Sequence, residues 1–422
     1  MMTFRFIHTG DIHLDSPLRG LAGQVGAAAE RIRTATRSAF TNLVEHAIAE
    51  EVDFFIIAGD LYDGDWRDYH TGLFFVGQMG RLAKAKIPVF LLYGNHDADS
   101  QITKRLTLPE NVRVFSHKKP ETFELGEFRV ALHGQSFQQR DVTENLVPAY
   151  PEPLGGSFNI GVLHTGLGGM GGHLNYAPCT LADLINKGYD YWALAHVHQG
   201  AILHQNPHVV FCGNLQGRHM RESGPKCASL VTVEEGRVAG VASIEVDVVR
   251  WMDVQVPLDG STHTTEIVSR IGRAIESATA GNTGRLLACR IELSGPTELH
   301  DYLLSSHEHL IAEARAAALA LGEEVAWVER VLVKTQPTTA NDSALSQNIP
   351  EGLAGIFGEA AKDAGLESQL QSEILDLVSK LPYELRTNLE DGVLKAAVNG
   401  EYSTIIAEGS HYLSARLASE RV

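Results

Sequence analysis

Residues 3–13 read TFRFIHTGDIH. Residues 4–9 read as a first β-strand, and a carboxylate and an imidazole follow at once, at Asp11 and His13. The same phrase returns four more times along the chain. GDLYD (59–63) follows an apolar run at 54–58, and GNHD (94–97) follows one at 89–93. LHT (163–165) closes a run at 158–164, and AHVH (195–198) follows one at 191–194. Between the first three runs lie helical patterns at 31–50 and 71–85, the β-α-β rhythm of an α/β sandwich. Further strands at 128–133, 209–212 and 229–233 follow with less helix between them, so the sheet is expected to be mixed. Ligands of open α/β sheets gather at the carboxyl ends of the strands, which predicts that the five motifs converge.

Beyond this first domain (1–248), strands at 251–258, 286–293 and 324–334 alternate with helices at 265–280 and 298–321. They form a small α+β module, 249–337, without a catalytic cluster. TTANDSALSQNIP (338–350) is polar, ends in proline and reads as a linker. Helical patterns at 351–380 and 383–397 fill an acidic C-terminal region, 351–422.

Of 422 residues, 44% are hydrophobic and 21% charged, enough to bury large cores and too apolar for a disordered chain. No apolar run approaches the roughly 18 residues of a membrane span. The N-terminal stretch is a strand rather than a secretory signal, so a cytoplasmic protein is expected. Cys179, Cys212, Cys227 and Cys289 are scattered, which argues against a thiolate zinc site and for reduced thiols. The net charge of −17 opposes a free-standing DNA binder, because phosphate neutralisation supplies most non-specific affinity. From Asn341 onward, thirteen Asp/Glu against six Lys/Arg account for −7 of it.

The motif residues are carboxylates, an amide and imidazoles, a set that suits Mn²⁺, Fe²⁺ or Zn²⁺ better than calcium. The two-residue spacing of D-x-H and H-x-H puts both side chains on one side of an extended segment. A carboxylate bridging two ions about 3.5–4 Å apart serves in-line phosphoryl displacement.

D-x-H, GD-x-x-D, GNHD, a later lone His and H-x-H together resemble the calcineurin-like metallophosphoesterase superfamily. Their contexts, HTGDIHLDSPL, IIAGDLYDGD, LLYGNHD and LAHVHQ, resemble its DNA-repair exonuclease branch, the SbcD-like and YhaO-type proteins. The resemblance covers residues 1–247, and the α+β module matches that branch's capping domain. It implies a β-sandwich flanked by helices, an α/β/β/α four-layer fold. It implies two divalent ions, Mn²⁺ foremost: one on Asp11, His13 and His198, one on Asn95, His164 and His196, with Asp60 bridging. His96 would meet the scissile phosphate and protonate the leaving group, with Asp97 orienting it, and Asp63 would support. The implied activity is exonucleolytic cleavage of DNA ends by metal-activated water. Implied partners are DNA, a second copy of the chain and an SMC-like ABC ATPase, for which the acidic C-terminal region is the docking candidate. Two other readings stand beside it: a phosphatase or phosphodiesterase for a small or protein substrate, and a scaffold subunit for that ATPase. Ala195 stands where the family's fifth motif carries glycine.

Other features have plainer readings. His8 and His133 read as packed strand residues. The glycine run 166–172 lacks the Lys-Ser/Thr of a phosphate loop and reads as a flexible loop, whose glycines would allow close backbone approach to a substrate. In GNLQGRHMR (213–221), Arg218 or Arg221 would contact substrate phosphates, as guanidinium groups do; the alternative is a polar turn.

Overall fold

The computed structural model describes residues 3–16, 26–63, 69–99, 107–170, 174–261, 263–338, 363–380 and 392–406, with positions 356, 359, 409 and 413. The chain divides into two compact units, 1–252 with 282–288, and 253–281 with 289–422.

The first unit carries two six-stranded sheets. One comprises β1 (Phe4–Thr9), β2 (Phe54–Ile57), β3 (Val89–Leu91), β4 (Val112–Val114), β11 (Cys227–Glu234) and β12 (Arg237–Glu245). Its order is β12-β11-β1-β2-β3-β4. The other comprises β5 (Glu121–Leu125), β6 (Val130–Gly134), β7 (Phe158–His164), β8 (Tyr191–Ala195), β9 (Ala201–Gln205) and β10 (His208–Phe211), in the order β5-β6-β7-β8-β10-β9. Both are mixed: β1, β2, β3 and β4 run parallel, whereas β11 pairs antiparallel with β1 and β12.

The period of two in each strand builds the layers. Along β2, Phe54 and Ile56 face the gap between the sheets, while Phe55 and Ile57 face the helices. Along β8, Tyr191 and Ala193 fill the same gap from the other side, while Trp192 and Leu194 point outward. The gap is aromatic: Phe6 stacks on Phe54 with centroids 4.8 Å apart. Each such buried ring contributes roughly 1.5–3 kcal/mol. On the outer face of the first sheet, α2 (Ala35–Ala49) presents Phe40, Leu43 and Val44, and α3 (Tyr69–Lys84) presents Phe75, Met79 and Leu82; the short α4 (Asn95–Asp99) follows β3. On the outer face of the second, Leu184 of α5 (Leu181–Asn186) joins Trp192 and Phe211. The four-layer α/β/β/α expectation is met.

Two expected helices are interrupted. Residues 31–50 belong to α1 (Ala27–Arg33) and α2, separated at Thr34, whose hydroxyl donates to Glu30 O at 3.0 Å. Residues 298–321 become α7 (His300–Ser305) and α8 (His307–Leu321), parted at Ser306. Strands β4, β5, β9 and β12 were not anticipated.

The second unit rests on a three-stranded sheet of β13 (Val249–Pro257), β14 (Leu286–Thr297) and β15 (Ala326–Pro337). Its helix α6 (Thr264–Ala280) buries Ile267, Ile271 and Ile275, four residues apart and so on one face. Helix α8 buries Leu310, Ala314 and Ala318 in the same way. Of the acidic region, α9 (Ala364–Ser379) and α10 (Gly392–Asn399) are described. Of the expected linker, 338–350, all but Thr338 lies outside the described residues. Among those residues, no helix is long and apolar enough to cross a membrane.

Candidate metal centre

Each motif leaves its strand at the carboxyl end, and short main-chain bonds clamp the loops together. Asp11 N donates to Gly59 O (2.9 Å), His13 N to Asp60 O (3.0 Å) and Leu14 N to Leu61 O (2.9 Å). The clamp forces strained backbone: Asp11, His13, Asp60 and His196 have φ of 47°, 46°, 52° and 100°. Non-glycine residues adopt such angles at a cost of about 1–3 kcal/mol each, and the strain sits on four expected ligands. Two glycines are required by contact. A Cβ on Gly59 would strike His164 Nδ1, and one on Gly94 would strike Asp60 Oδ1. Ala195 is buried in β8 at an ordinary φ, so it suits this backbone.

All seven residues expected as ligands come together, and they form two groups. Asp11, His13 and His198 can offer ligand atoms within 4.8 Å of one another, and so can Asp60, His164 and His196. Asn95 joins the second group, its Oδ1 2.9 Å from His164 Nε2. Asp60 reaches both: its Oδ2 lies 3.4 Å from His164 Nε2 and 3.9 Å from His13 Nε2. His13, Asp60 and His96 form a third such set, which puts His96 beside both groups.

Three of the four histidines of the two groups are held from behind by a hydrogen bond, and those partners assign their tautomers. In the first half-site His198 Nδ1 meets Glu222 Oε1 at 2.7 Å, and His13 Nδ1 faces Asp63 Oδ1 at 3.4 Å. In the second, His164 Nδ1 donates to Ala58 O (3.2 Å) and His196 Nε2 to Leu174 O (2.8 Å). With the outward nitrogen so engaged, His196 and His198 turn the other nitrogen inward as a lone pair, and His164 would do so once its proton is lost. His13 Nε2 and His198 Nε2 then stand 3.2 Å apart. One tautomer of His13 makes that approach a hydrogen bond, and the other leaves two lone pairs that a cation would satisfy. Asp11 supports the same fit. Its Oδ2 accepts from His196 N (2.8 Å), while its buried Oδ1 has no hydrogen-bond partner among the described residues. The donor set of imidazole, carboxylate and amide oxygen fits two divalent ions.

The electrostatics agree. Burial, with Asp60 nearby, pushes the Asp11 carboxyl up to about 7, so that removal from water without a cation favours its neutral form. Burial lowers His198 to about 4, leaving it neutral and ready to ligate. Burial works against charge on His164, but Asp60 and Asp11 push it up to about 9.

Some expected roles change. Asp97 was given the orienting of His96, but the carboxylate that meets His96 Nδ1 is Asp63, at 3.1 Å. Asp97 instead accepts from the backbone N–H groups of Leu61 (3.1 Å), Tyr62 (2.9 Å) and Gly94 (3.0 Å). It ties the second motif to the third. Arg218, expected to meet substrate phosphates, is nearly buried and spends its guanidinium on Glu222 at 3.0 Å, with Ser16 Oγ at 3.4 Å. Arg221 is exposed on a short turn, Met220–Glu222. His8 is structural, bonded to Tyr191 Oη (2.9 Å) and Leu194 O (3.2 Å). So is His133, between Thr122 Oγ1 (2.9 Å) and Asn159 Oδ1 (3.1 Å). Within the glycine run, a Cβ on Gly166 would meet Leu174 O at 2.7 Å. That glycine lets the chain approach its own backbone, the segment whose carbonyl holds His196. Residues 171–173 lie outside the described residues.

Glu222 was missed. Burial works to raise its carboxyl, yet Arg218 and the hydrogen bond with His198 hold it well below the usual range. It also accepts from Asn214 Nδ2 (3.0 Å) and Arg218 N (2.8 Å).

Comparison with known proteins places this centre in context. The calcineurin-like phosphoesterase family matches residues 4–200. The middle domain of metallophosphoesterase YhaO matches residues 251–336. The chain is 32% identical over 358 residues to the uncharacterized metallophosphoesterase YhaO of Bacillus subtilis (strain 168), covering 83% of this chain and 86% of that one. It is 28% identical over 165 residues to the DNA double-strand break repair protein Mre11 of Sulfurisphaera tokodaii, 38% of this chain and 42% of that protein. Mre11 of Saccharolobus solfataricus is 26% identical over 168 residues, again 38% and 42%.

Proposed function

We propose, because the chain belongs to the calcineurin-like metallophosphoesterase family and to its YhaO-type branch, that its dimetal centre hydrolyses phosphodiesters at DNA ends, as a DNA-repair exonuclease. The chain is a metal-dependent phosphoester hydrolase by family and by site, and the nuclease activity is the finer reading. The observation that carries it is the pair of ligand groups with Asp60 between them. When bound, a divalent pair supplies Lewis acidity and a lowered water pKa for displacement at phosphorus. Mn²⁺ is the expected metal, with Fe²⁺ and Zn²⁺ as alternatives, on Asp11, His13, Asp60, Asn95, His164, His196 and His198.

The chain's own residues supply orientation and a proton. His96 has the most exposed of these imidazole side chains, at 30%. Burial acts against its charge, but Asp60 and Asp63 hold it above its ordinary value, which favours the protonated ring that a donor to the leaving oxygen needs. Asp63 fixes the ring, and Arg221 is exposed. The similarity to Mre11 proteins favours DNA. The net charge of −17 favours a second reading, a phosphodiesterase or phosphatase for a smaller substrate. Residues 351–422 are the proposed docking region for an SMC-like ABC ATPase, and a homodimer is the proposed assembly.

The test is end-labelled DNA incubated with the full chain and Mn²⁺. Released nucleotides support the nuclease reading, provided Asp60→Ala abolishes them. Turnover of a nucleotide monoester with intact DNA would leave the phosphoester chemistry standing and remove the nuclease.

A further inference from the structure

A cavity of about 240 Å³ opens beyond the carboxyl end of β6, on the rim of the second sheet that also carries His164. Its walls include Gln135, Gln138, Gln139, Thr143 and Phe137. The cavity is tied to the second half-site in two ways. Phe137 borders it and sets its ring against His164, with centroids 5.5 Å apart. Phe137 N donates to Tyr93 O (2.8 Å) and Tyr93 N to Ser136 Oγ (3.0 Å), so the cavity wall is bonded to the segment that delivers Asn95.

The lining chemistry is selective. Among the described residues, no Lys or Arg lines the cavity and the one lining carboxylate is Glu144, a poor setting for a phosphate. Three amides, the hydroxyls of Ser136 and Thr143 and the His117 imidazole both donate and accept hydrogen bonds, and Ser136 Oγ already donates to Phe115 O at 2.7 Å. Gln139 Nε2 is engaged with Asp141 O at 3.2 Å. The side-chain amides of Gln135 and Gln138 have no hydrogen-bond partner among the described residues, and Gln135 is half-buried. The half-buried amide of Gln135 and the exposed amide of Gln138, beside an apolar ring, fit a flat, neutral ligand with its own donors and acceptors. Glutamine amides and carboxylates read the edges of nucleobases in this manner.

We propose that this cavity is a base subsite: it takes the nucleobase of the nucleotide whose phosphate lies at the Asp60–Asn95–His164 half-site. The proposal rests on the phosphodiesterase reading above and narrows its substrate to a nucleotide unit at a strand end or in a small diester. It accounts for substrate affinity in an acidic chain, since a base contributes contacts that need no positive charge.

Two measurements on the full chain separate this proposal from the reading beneath it. The first is the ratio of kcat/KM for a p-nitrophenyl ester of thymidine 5′-phosphate to that for bis(p-nitrophenyl) phosphate, which carries no base. Gln135→Ala/Gln138→Ala is expected to lower that ratio at least about fivefold, the scale of one lost amide–base pairing. An unchanged ratio, with melting temperature retained, overturns the proposal. The second is saturation-transfer NMR with free adenosine and thymidine, which involves no hydrolysis. Transfer in the parent chain that the double variant loses supports the subsite; no transfer in the parent chain overturns it. If neither diester is cleaved, the phosphodiesterase reading has failed, and the NMR result alone decides the cavity.

Discussion

The two half-sites use the same ligand chemistry and differ in what stands behind it. In the first, carboxylates back the imidazoles: Glu222 behind His198 and Asp63 near His13. In the second, main-chain carbonyls do, Ala58 behind His164 and Leu174 behind His196. A carboxylate partner makes its imidazole a more basic ligand and can be removed by one substitution. A carbonyl partner cannot be removed by any side-chain change, but it depends on close backbone packing. The first half-site is therefore tuned through side chains, and the second is guarded through glycines such as Gly59 and Gly166.

Asp60→Ala removes what the two halves share. Both ions and all turnover should disappear, measured as metal content per chain and phosphodiester hydrolysis. One ion retained at full occupancy would mean that the halves are independent. Next in size, His96→Ala should keep both ions and lose turnover on the order of 10²-fold or more. If that variant loses metal instead, His96 is a ligand, as its grouping with His13 and Asp60 would then require.

The contrast itself predicts two partial losses. Gly59→Ala places a methyl against His164 and strains a φ of 117°, so it should empty the second half-site while the first still binds. Its melting temperature should also fall, by the equivalent of about 1–3 kcal/mol for the backbone alone. Glu222→Gln should do the converse more gently, weakening the first half-site by about 10- to 100-fold in a manganese titration. Equal weakening of both ions by either variant would break the comparison.

The smallest effect concerns His8, on the strand that leads to Asp11. Burial lowers its imidazole from 6.5 to about 3, so the native chain refuses a proton that the unfolded chain accepts. Stability is therefore full above pH 6.5 and declines as pH falls from there toward 3. His8→Gln should flatten that part of the denaturation profile; an unchanged slope would assign the acid sensitivity elsewhere.

What the sequence shows and what it hides follow the same physical division. The convergence of the seven expected ligands was legible because each closes or follows a buried apolar run whose end fixes its place on the rim. Central strands were legible for the same reason. The four strands missed, β4, β5, β9 and β12, are the four edges of the two sheets, and their partly exposed faces carry little hydrophobic signal. Glu222 was hidden because 24 residues separate it from His198 and nothing in MRE marks a carboxylate as inward. The carbonyls of Ala58 and Leu174 have no side-chain signature at all. Asp97 was misread because an acid beside His96 looks alike whether it bonds a ring or three backbone amides.

The most direct test of the two-half-site account is anomalous scattering at the manganese edge from crystals of the full chain grown with Mn²⁺. The account predicts two peaks, one among Asp11, His13 and His198 and one among Asn95, His164 and His196, each in contact with Asp60. A single peak, or a second one held by His96 in place of His164, would contradict it.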